Sequence, residues 1–404
     1  MKILYVSPRQ FWPPRSGAKL RDYHFAQALG RHGDLTYAYF LDPDTTPIAE
    51  AQLPFCRKLV AVPKPATYSP GKIARGLFGR WPLPVLNYSS PQMDAVLCEL
   101  TAKTCYDLVH FDSIHMISYT ATVSTPTARI VYNWHNIESE AMRRFSTTAS
   151  SRLRRIYATL TARQLERLER KILAEAFGHV VCSRREQQQL LDVAPQARVA
   201  VIDNGVDTDY FSHAAGPGMA DQARTRIVFV GLMNYYPNVE AATSFAHTIW
   251  PRLQQRLPGL RLTIVGASPT PAVLALREIA GVDVTGTVPD VRPYYGDALA
   301  AIVPLRTGGG TRLKILEAMA AGVPVVSTTL GAEGLHIQPG GNILIAGVDD
   351  TEAWIQAIEA LANQPALRRQ LIEAAAALVR QRYDWTALGD ALCDTYRQWL
   401  ENAR

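Results

Sequence analysis

Cysteine is scarce and unpatterned in this 404-residue chain. The five residues, Cys56, Cys98, Cys105, Cys182 and Cys393, are odd in number and include no C-x-x-C pair. That argues against a disulfide framework or a zinc-thiolate site and fits a reducing cytoplasm. Long apolar runs are missing as well. No stretch approaches the ~18 residues of a membrane span, and Ile3–Val6 is too short for a signal-peptide core but long enough for a buried strand. Charge is sparse, at 19% of residues against 48% hydrophobic, so the composition is that of a globular chain with a sizeable core. The formal net charge of +6 permits an anionic ligand or surface without requiring one. No G-x-G-x-x-G follows Val6 or Val230, and no G-x-x-x-x-G-K-[ST] occurs, which argues against hydride-transfer dehydrogenases and P-loop NTPases. No nucleic-acid module is recognisable, and aromatic residues do not interleave with the basic ones, so nucleic acid is not an expected partner. His110, His115 and Asp112 match no metal-ligand spacing, and Asp207-Thr208-Asp209 lies inside an interdomain segment. No metal site is expected.

At ~150 residues per domain, the length suggests two or three domains. Two segments read alike: Lys2–Ser7 and Arg226–Gly231 are short, apolar and rich in β-formers, and each leads through a loop into a helical pattern. The second half continues as strand Leu260–Gly266, helix Ala272–Ala280, strand Val282–Gly286, strand Ala300–Leu305, helix Lys314–Ala321 and strand Val323–Ser327. That alternation predicts doubly wound parallel sheets, an α/β fold. Residues 201–211, with the small-residue stretch Ala214–Ala220, read as the linker. A long Arg-rich helix is expected over Ser151–Ala176. The C-terminal helix after Asp384-Trp385 carries Leu388, Leu392, Tyr396 and Trp399 at helical spacing, a core-packing stripe.

The most informative stretch is Pro304–Val326. A strand ends, Gly308-Gly309-Gly310 turns, and a helix begins. Three consecutive glycines cost backbone entropy, so something there requires bare backbone. A helix N-terminus behind such a turn offers unpaired N–H groups and about +0.5 charge, an anion site whose usual guest is phosphate. Arg306, Arg312 and Lys314 add three cations within nine residues. The plainer alternative is a tight turn with solvated charges.

The run Leu316-Glu317-Ala318-Met319-Ala320-Ala321-Gly322-Val323-Pro324-Val325-Val326 resembles the nucleotide-sugar signature of the family 4 glycosyltransferases, which have the GT-B fold. Ile202–Phe211 resembles that family's linker motif, and Val284-Thr285-Gly286-Thr287-Val288 and Tyr383-Asp384-Trp385 sit in matching places. Tyr235-Tyr236-Pro237-Asn238 and Gly308–Lys314 resemble a bacterial subgroup associated with exopolysaccharide clusters. The resemblance is strong in the second half and weaker before residue 130.

It implies two Rossmann-like domains facing a cleft. Residues 1–203 form the acceptor side, rejoined by the returning helix 386–404, and residues 204–385 bind the nucleotide sugar. Glu317 would hold the ribose. The acid that should precede it by eight residues is replaced by Gly309, so backbone N–H groups of Gly309, Gly310 and Thr311 would grip sugar or phosphate instead. The family's cations after the first strand of this domain are also missing. Leu232 and Pro237-Asn238 stand near those places, and Arg312 and Lys314 would supply the lost charge from the opposite loop. In the first domain Gly17 matches the loop glycine that approaches the donor phosphate, a plain loop glycine being the alternative, and His135 matches a histidine facing the reacting sugar. The implied set is therefore His135, Arg312 and Lys314 in catalytic roles. Gly17, Gly231, Val288, Arg306, Gly308, Gly309, Gly310, Thr311, Leu313 and Glu317 form the donor site.

The activity implied is a retaining, metal-independent transfer of a sugar from a nucleotide-diphospho-sugar to a glycan or lipid-linked acceptor in surface or exopolysaccharide synthesis, without a cofactor. Two alternatives stay open: a GT-B sugar-nucleotide epimerase, and a non-catalytic nucleotide-sugar-binding component of an export assembly. Residues 143–171 carry nine Arg and Lys against two Glu, and residues 57–82 carry six cations and no acid. These segments suggest peripheral contact with an anionic membrane surface, solvated faces being the alternative.

Overall fold

The computed structural model describes residues 1–14, 16–149, 151–212, 224–308 and 312–403. The chain divides into two units, Met1–Asp203 with Leu388–Arg404, and Asn204–Ala387. No helix among the described residues is long and apolar enough to cross a membrane.

The first unit is built on a seven-stranded sheet of β1 (Lys2–Ser7), β2 (Asp34–Leu41), β3 (Lys58–Pro63), β4 (Leu108–Phe111), β5 (Arg129–Asn133), β6 (Gly178–Val181) and β7 (Val199–Val201). The order is β3-β2-β1-β4-β5-β6-β7, and every described pairing is parallel. Ile3, Leu4, Tyr5 and Val6 of β1 are fully buried, as a central parallel strand covered by helices on both faces must be. Chain order reverses between β1 and β4. In open parallel sheets that switch point, at the carboxyl ends of the strands, is where ligands bind.

The second unit repeats the plan with β8 (Arg226–Val230), β9 (Arg261–Val265), β10 (Val282–Val284), β11 (Ala298–Val303), β12 (Val325–Ser327) and β13 (Leu344–Ile345). The order is β10-β9-β8-β11-β12-β13, again parallel, with the switch point between β8 and β11. The helix expected over Ala272–Ala280 is an α-helical turn, Pro271–Leu274, that tightens into a 3₁₀ segment, Ala275–Glu278. Residues 214–220 of the expected linker lie outside the described residues.

The Arg-rich helix runs Arg152–Glu175, started by the Ser151 hydroxyl accepting from the Arg154 N–H. The last helix, Trp385–Glu401, supplies Leu392 and Tyr396, both fully buried, to the first unit. The Tyr396 hydroxyl meets Nδ1 of buried His110 at 2.8 Å. Gly178 leaves room for the Trp399 ring, which a Cβ there would meet at 2.3 Å.

Candidate active site

Each switch point gathers polar groups. In the second unit, β8 ends at Gly231 and β11 runs into the loop that leads to the helix Leu313–Ala320. Lys314, in the first turn of that helix, reaches back to the β8 loop. Its Nζ donates to Asn238 Oδ1 at 2.6 Å and sits 4.7 Å from the centre of the Phe229 ring. Asn238 is oriented by its own Nδ2, which donates to the Leu232 carbonyl at 2.9 Å. Gly231 is required here, because a Cβ would meet Asn238 Nδ2 at 2.8 Å and Lys314 Nζ at 3.0 Å. The two loops also touch at Gly308. Its φ of +116° is a conformation other residues rarely adopt, and a Cβ would press on Pro237 at 3.2 Å.

Burial, with Arg312 nearby, lowers the Lys314 ammonium to about 7, Glu317 offsetting part of the effect. Glu317 lies one turn further along the same helix face. Burial raises its carboxyl to about 7, against the pull of Lys314, and among the described residues the carboxylate accepts no hydrogen bond. The Tyr295 hydroxyl, fully buried and without a described partner, feels the Glu317 charge. The end of this helix therefore brings a poised acid and a poised amine onto one face, the acid with spare capacity for ligand hydroxyls and the amine for an anion.

The other residues expected here are placed differently. Arg312 is 5% exposed and donates to the Gly308 carbonyl at 3.0 Å, bracing the turn. Arg306 is paired with Asp349 at 2.7 Å. Leu313 and Val288 are half-buried and pack on the core of this unit. Gly309, Gly310 and Thr311 lie outside the described residues. Asp207-Thr208-Asp209, expected in the linker, lies within the second unit and is structural. The Asp207 carboxylate accepts the Tyr210 N–H at 2.8 Å, and the Thr208 hydroxyl donates to Asp384 at 2.5 Å.

In the first unit, His135 follows β5 and Asp112 follows β4, while Asp22 comes from the helix Gly17–His32 behind β1. His135 Nε2 lies 3.1 Å from Asp22 Oδ1 and 3.3 Å from Asp112 Oδ1. Asp112 also accepts from the Tyr5 hydroxyl at 3.0 Å, Asn133 Nδ2 at 2.8 Å and the Ser7 hydroxyl at 3.2 Å. Arg9 Nε stands 3.6 Å from Asp22 Oδ2, and buried Arg21 holds Asn133 through its Nε at 3.1 Å. Both aspartates are fully buried.

Desolvation by itself lowers the His135 imidazole, but Asp112 and then Asp22 outweigh it and raise it to about 9. Burial and the Asp112 charge raise Asp22 to about 7, whereas His135 and other partners hold Asp112 below the usual carboxylate range despite its burial. At neutral pH the histidine is thus an imidazolium clamped by two carboxyl groups. The ligand atoms of Asp22, Asp112 and His135 lie within 4.8 Å of one another, so the same trio could also surround a divalent cation. His110 and His115 do not join them, being bound to Tyr396 and to the Ser113 hydroxyl. Gly17 opens the helix that carries Asp22, next to the capping Ser16.

Residues 23–210 match the profile described as Glycosyltransferase Family 4, and residues 224–364 match the one described as Glycosyl transferases group 1. The chain belongs to the family 4 glycosyltransferases. A D-inositol 3-phosphate glycosyltransferase of Mycobacterium marinum is 28% identical over 254 residues, 57% of this chain and 52% of that protein. The chain thus spans about half the length of such curated relatives. Among solved structures, the sucrose-phosphate synthase of Thermosynechococcus elongatus superposes with a TM-score of 0.72 at 19% identity, covering 100% of both chains. An Anabaena protein in complex with UDP and glucose gives 0.66 at 16% identity, covering 98% and 99%. These likenesses establish the GT-B fold of two Rossmann-like domains.

Across these two sites, reading the sequence alone missed Asp22, Asn133, Tyr295 and the part played by Asn238. Asp112 carried a signal, since it and His135 end neighbouring strands. Asp22 carried none, because a lone acid in a helix acquires meaning only when the helix is docked.

Proposed function

We propose that this chain transfers a sugar from a nucleoside-diphospho-sugar to a glycan or lipid-linked acceptor, with retention at the anomeric carbon, in surface or exopolysaccharide synthesis. The observation that carries the reading is the Lys314–Asn238 contact above Gly231, with Glu317 on the same helix face. It supports a cation at the loop that lacks the family's usual Arg and Lys, beside a free carboxylate suited to ribose hydroxyls. A relative named as a glycosyltransferase and a structural neighbour solved with UDP and glucose support the same donor class.

In the reaction, an acceptor hydroxyl bonds to the anomeric carbon as the bond to the β-phosphate oxygen breaks. The acceptor proton passes to the departing phosphate on the same face of the sugar. Lys314 and the helix end behind it stabilise the growing diphosphate charge. His135, cationic up to about pH 9, donates to a hydroxyl of the reacting sugar, and Asp112 and Asp22 fix its orientation. The reaction as proposed uses no resident metal, with Asp22 and Asp112 acting on the imidazolium of His135.

A thermal-shift screen of nucleoside diphosphates and their sugars tests the donor site, since a ligand at 100-fold its Kd stabilises by about 2.7 kcal/mol. Transfer to an acceptor panel, with and without EDTA, then tests the chemistry. Absence of any donor-dependent shift would sink the enzyme reading. Activity abolished by EDTA and restored by Mg²⁺ or Mn²⁺ would sink the metal-free mechanism.

A further inference from the structure

Twelve large apolar side chains are exposed among the described residues, and six of them cluster on three neighbouring segments of the first unit: Tyr68, Ile73, Phe145, Leu153, Ile156 and Leu160. The helices Glu138–Thr148 and Arg152–Glu175 pack against each other, and the helix Pro70–Phe78 joins them, with Gln164 Nε2 donating to the Leu77 carbonyl at 3.4 Å. Leu153 is 79% exposed. Steps of three and four place Leu153, Ile156, Leu160, Arg163 and Arg167 on one stripe of the long helix, with Arg152 at its edge.

Charge on this face is not balanced. Residues 141–165 contain six arginines and no acid. Three of the five acids on these two helices are engaged: Glu140 takes Arg144 and Arg185, Glu166 takes Arg143 and Arg170, and Glu175 takes Lys171. Glu169 is buried and accepts the Ser139 N–H, and Glu138 lies toward His135 and Arg9. Arg152, Arg163 and Arg167 are exposed and face no carboxylate among the described residues. Across 57–82 the structure removes two cations from consideration, since Arg57 and Lys64 pair with Asp34 and Asp42. Lys72 and Arg75 remain beside Ile73 on the short helix.

Single exposed apolar residues are ordinary, but aliphatic side chains set in an acid-free field of guanidinium groups are not. Water suits the arginines and not the leucines. A protein partner presents an apolar centre within a polar rim, whereas here the apolar residues are strung between cations along a helix. An anionic leaflet satisfies both at once, with lipid phosphate and carboxylate groups on the arginines and the headgroup–acyl boundary around the aliphatic chains.

We propose that this face is a peripheral docking surface for an anionic lipid leaflet. Leu153, Ile156 and Leu160 enter the boundary, and Arg152, Arg163 and Arg167 bind headgroups. The proposal rests on the glycosyltransferase reading only for its purpose, which is to meet a lipid-linked acceptor where it lies.

The full chain is sedimented with vesicles of phosphatidylcholine alone or with about 30% phosphatidylserine, at ~0.1 M and ~0.5 M salt, and donor binding is followed separately by thermal shift. The expected result is binding to the anionic vesicles only, weakened by salt. An arginine at such a surface contributes about fivefold in partitioning, so Arg152→Gln/Arg163→Gln/Arg167→Gln should lose roughly a hundredfold. Leu153→Ser/Ile156→Ser/Leu160→Ser should also release the protein, and both variants should keep the wild-type nucleoside-diphosphate shift. Equal binding to neutral vesicles, or variants that sediment like the wild type, would overturn the proposal. So would no vesicle binding together with self-association that the serine variant abolishes. Vesicle binding without any nucleotide shift would overturn the enzyme reading and leave the surface standing.

Discussion

If Lys314 holds the diphosphate as proposed, binding should depend on pH in a direction fixed by the lysine's surroundings. Its ordinary value near 10.5 is lowered to about 7 by burial and by Arg312. Below pH 7 the free protein already carries the ammonium ion. Above pH 7 a diphosphate that requires the charged form must bring a proton with it, because two phosphate charges raise the lysine again in the complex. The lysine's contribution to affinity should therefore be flat below pH 7 and fall above it, by about tenfold at pH 8 and about a hundredfold at pH 9 if the bound amine stays protonated. Glu317, raised to about 7, works in the opposite sense. Its ionised form accepts ribose hydroxyls better, so binding of the uncharged nucleoside should strengthen as pH rises through 7. Calorimetry of the diphosphate and of its nucleoside from pH 6 to 9, at constant ionic strength, separates the two, since their difference isolates the lysine. Lys314→Met should weaken diphosphate binding about ten- to a hundredfold below pH 7, the loss of one charge-assisted hydrogen bond, and should abolish the slope above it. A wild-type diphosphate-minus-nucleoside difference that stays flat from pH 6 to 9, or a slope that survives in Lys314→Met, would refute the reasoning.

Other expectations follow from the same geometry. Lys314→Met should leave the melting temperature unchanged or raise it, because a buried amine with a lowered pKa disfavours the folded state. Arg312→Ala should lower it, through loss of the brace to the Gly308 carbonyl. Gly308→Ala should cost about 1–3 kcal/mol in denaturant unfolding, from its φ of +116° and the contact with Pro237. In NMR titrations His135 should titrate near 9, and Asp112→Asn should move it down by more than Asp22→Asn does, since Asp112 exerts the larger pull; equal values in all three proteins would contradict the clamp. Tyr396→Phe should destabilise the first unit by about 1–3 kcal/mol, by removing the hydroxyl that faces buried His110.

The alternation of apolar strands and amphipathic helices is local, so the doubly wound character of both halves was legible along the chain. The need for bare backbone at Gly308, with its φ of +116°, was legible for the same reason, because backbone freedom is a property of the residue itself. The family motif around Glu317 is contiguous too, so the expectation that this acid holds a ribose needed no structure. What the sequence alone could not decide was who meets whom across the sheet. Asp22, Asp112 and His135 are separated by 90 and 23 residues, and they converge only because β1, β4 and β5 lie side by side and the first helix folds back over them. The three cations of the glycine loop look alike in sequence. Packing sends Arg306 to Asp349, turns Arg312 onto its own loop and leaves Lys314 to reach Asn238. The charge excess of residues 143–171 could be counted from the sequence, but which arginines the acids neutralise depends on how the two helices pack. Composition and periodicity fix each element, because those forces act between near neighbours. The ionisation and reach of a buried side chain depend on contacts between segments distant in sequence, and those exist only once the sheets have formed.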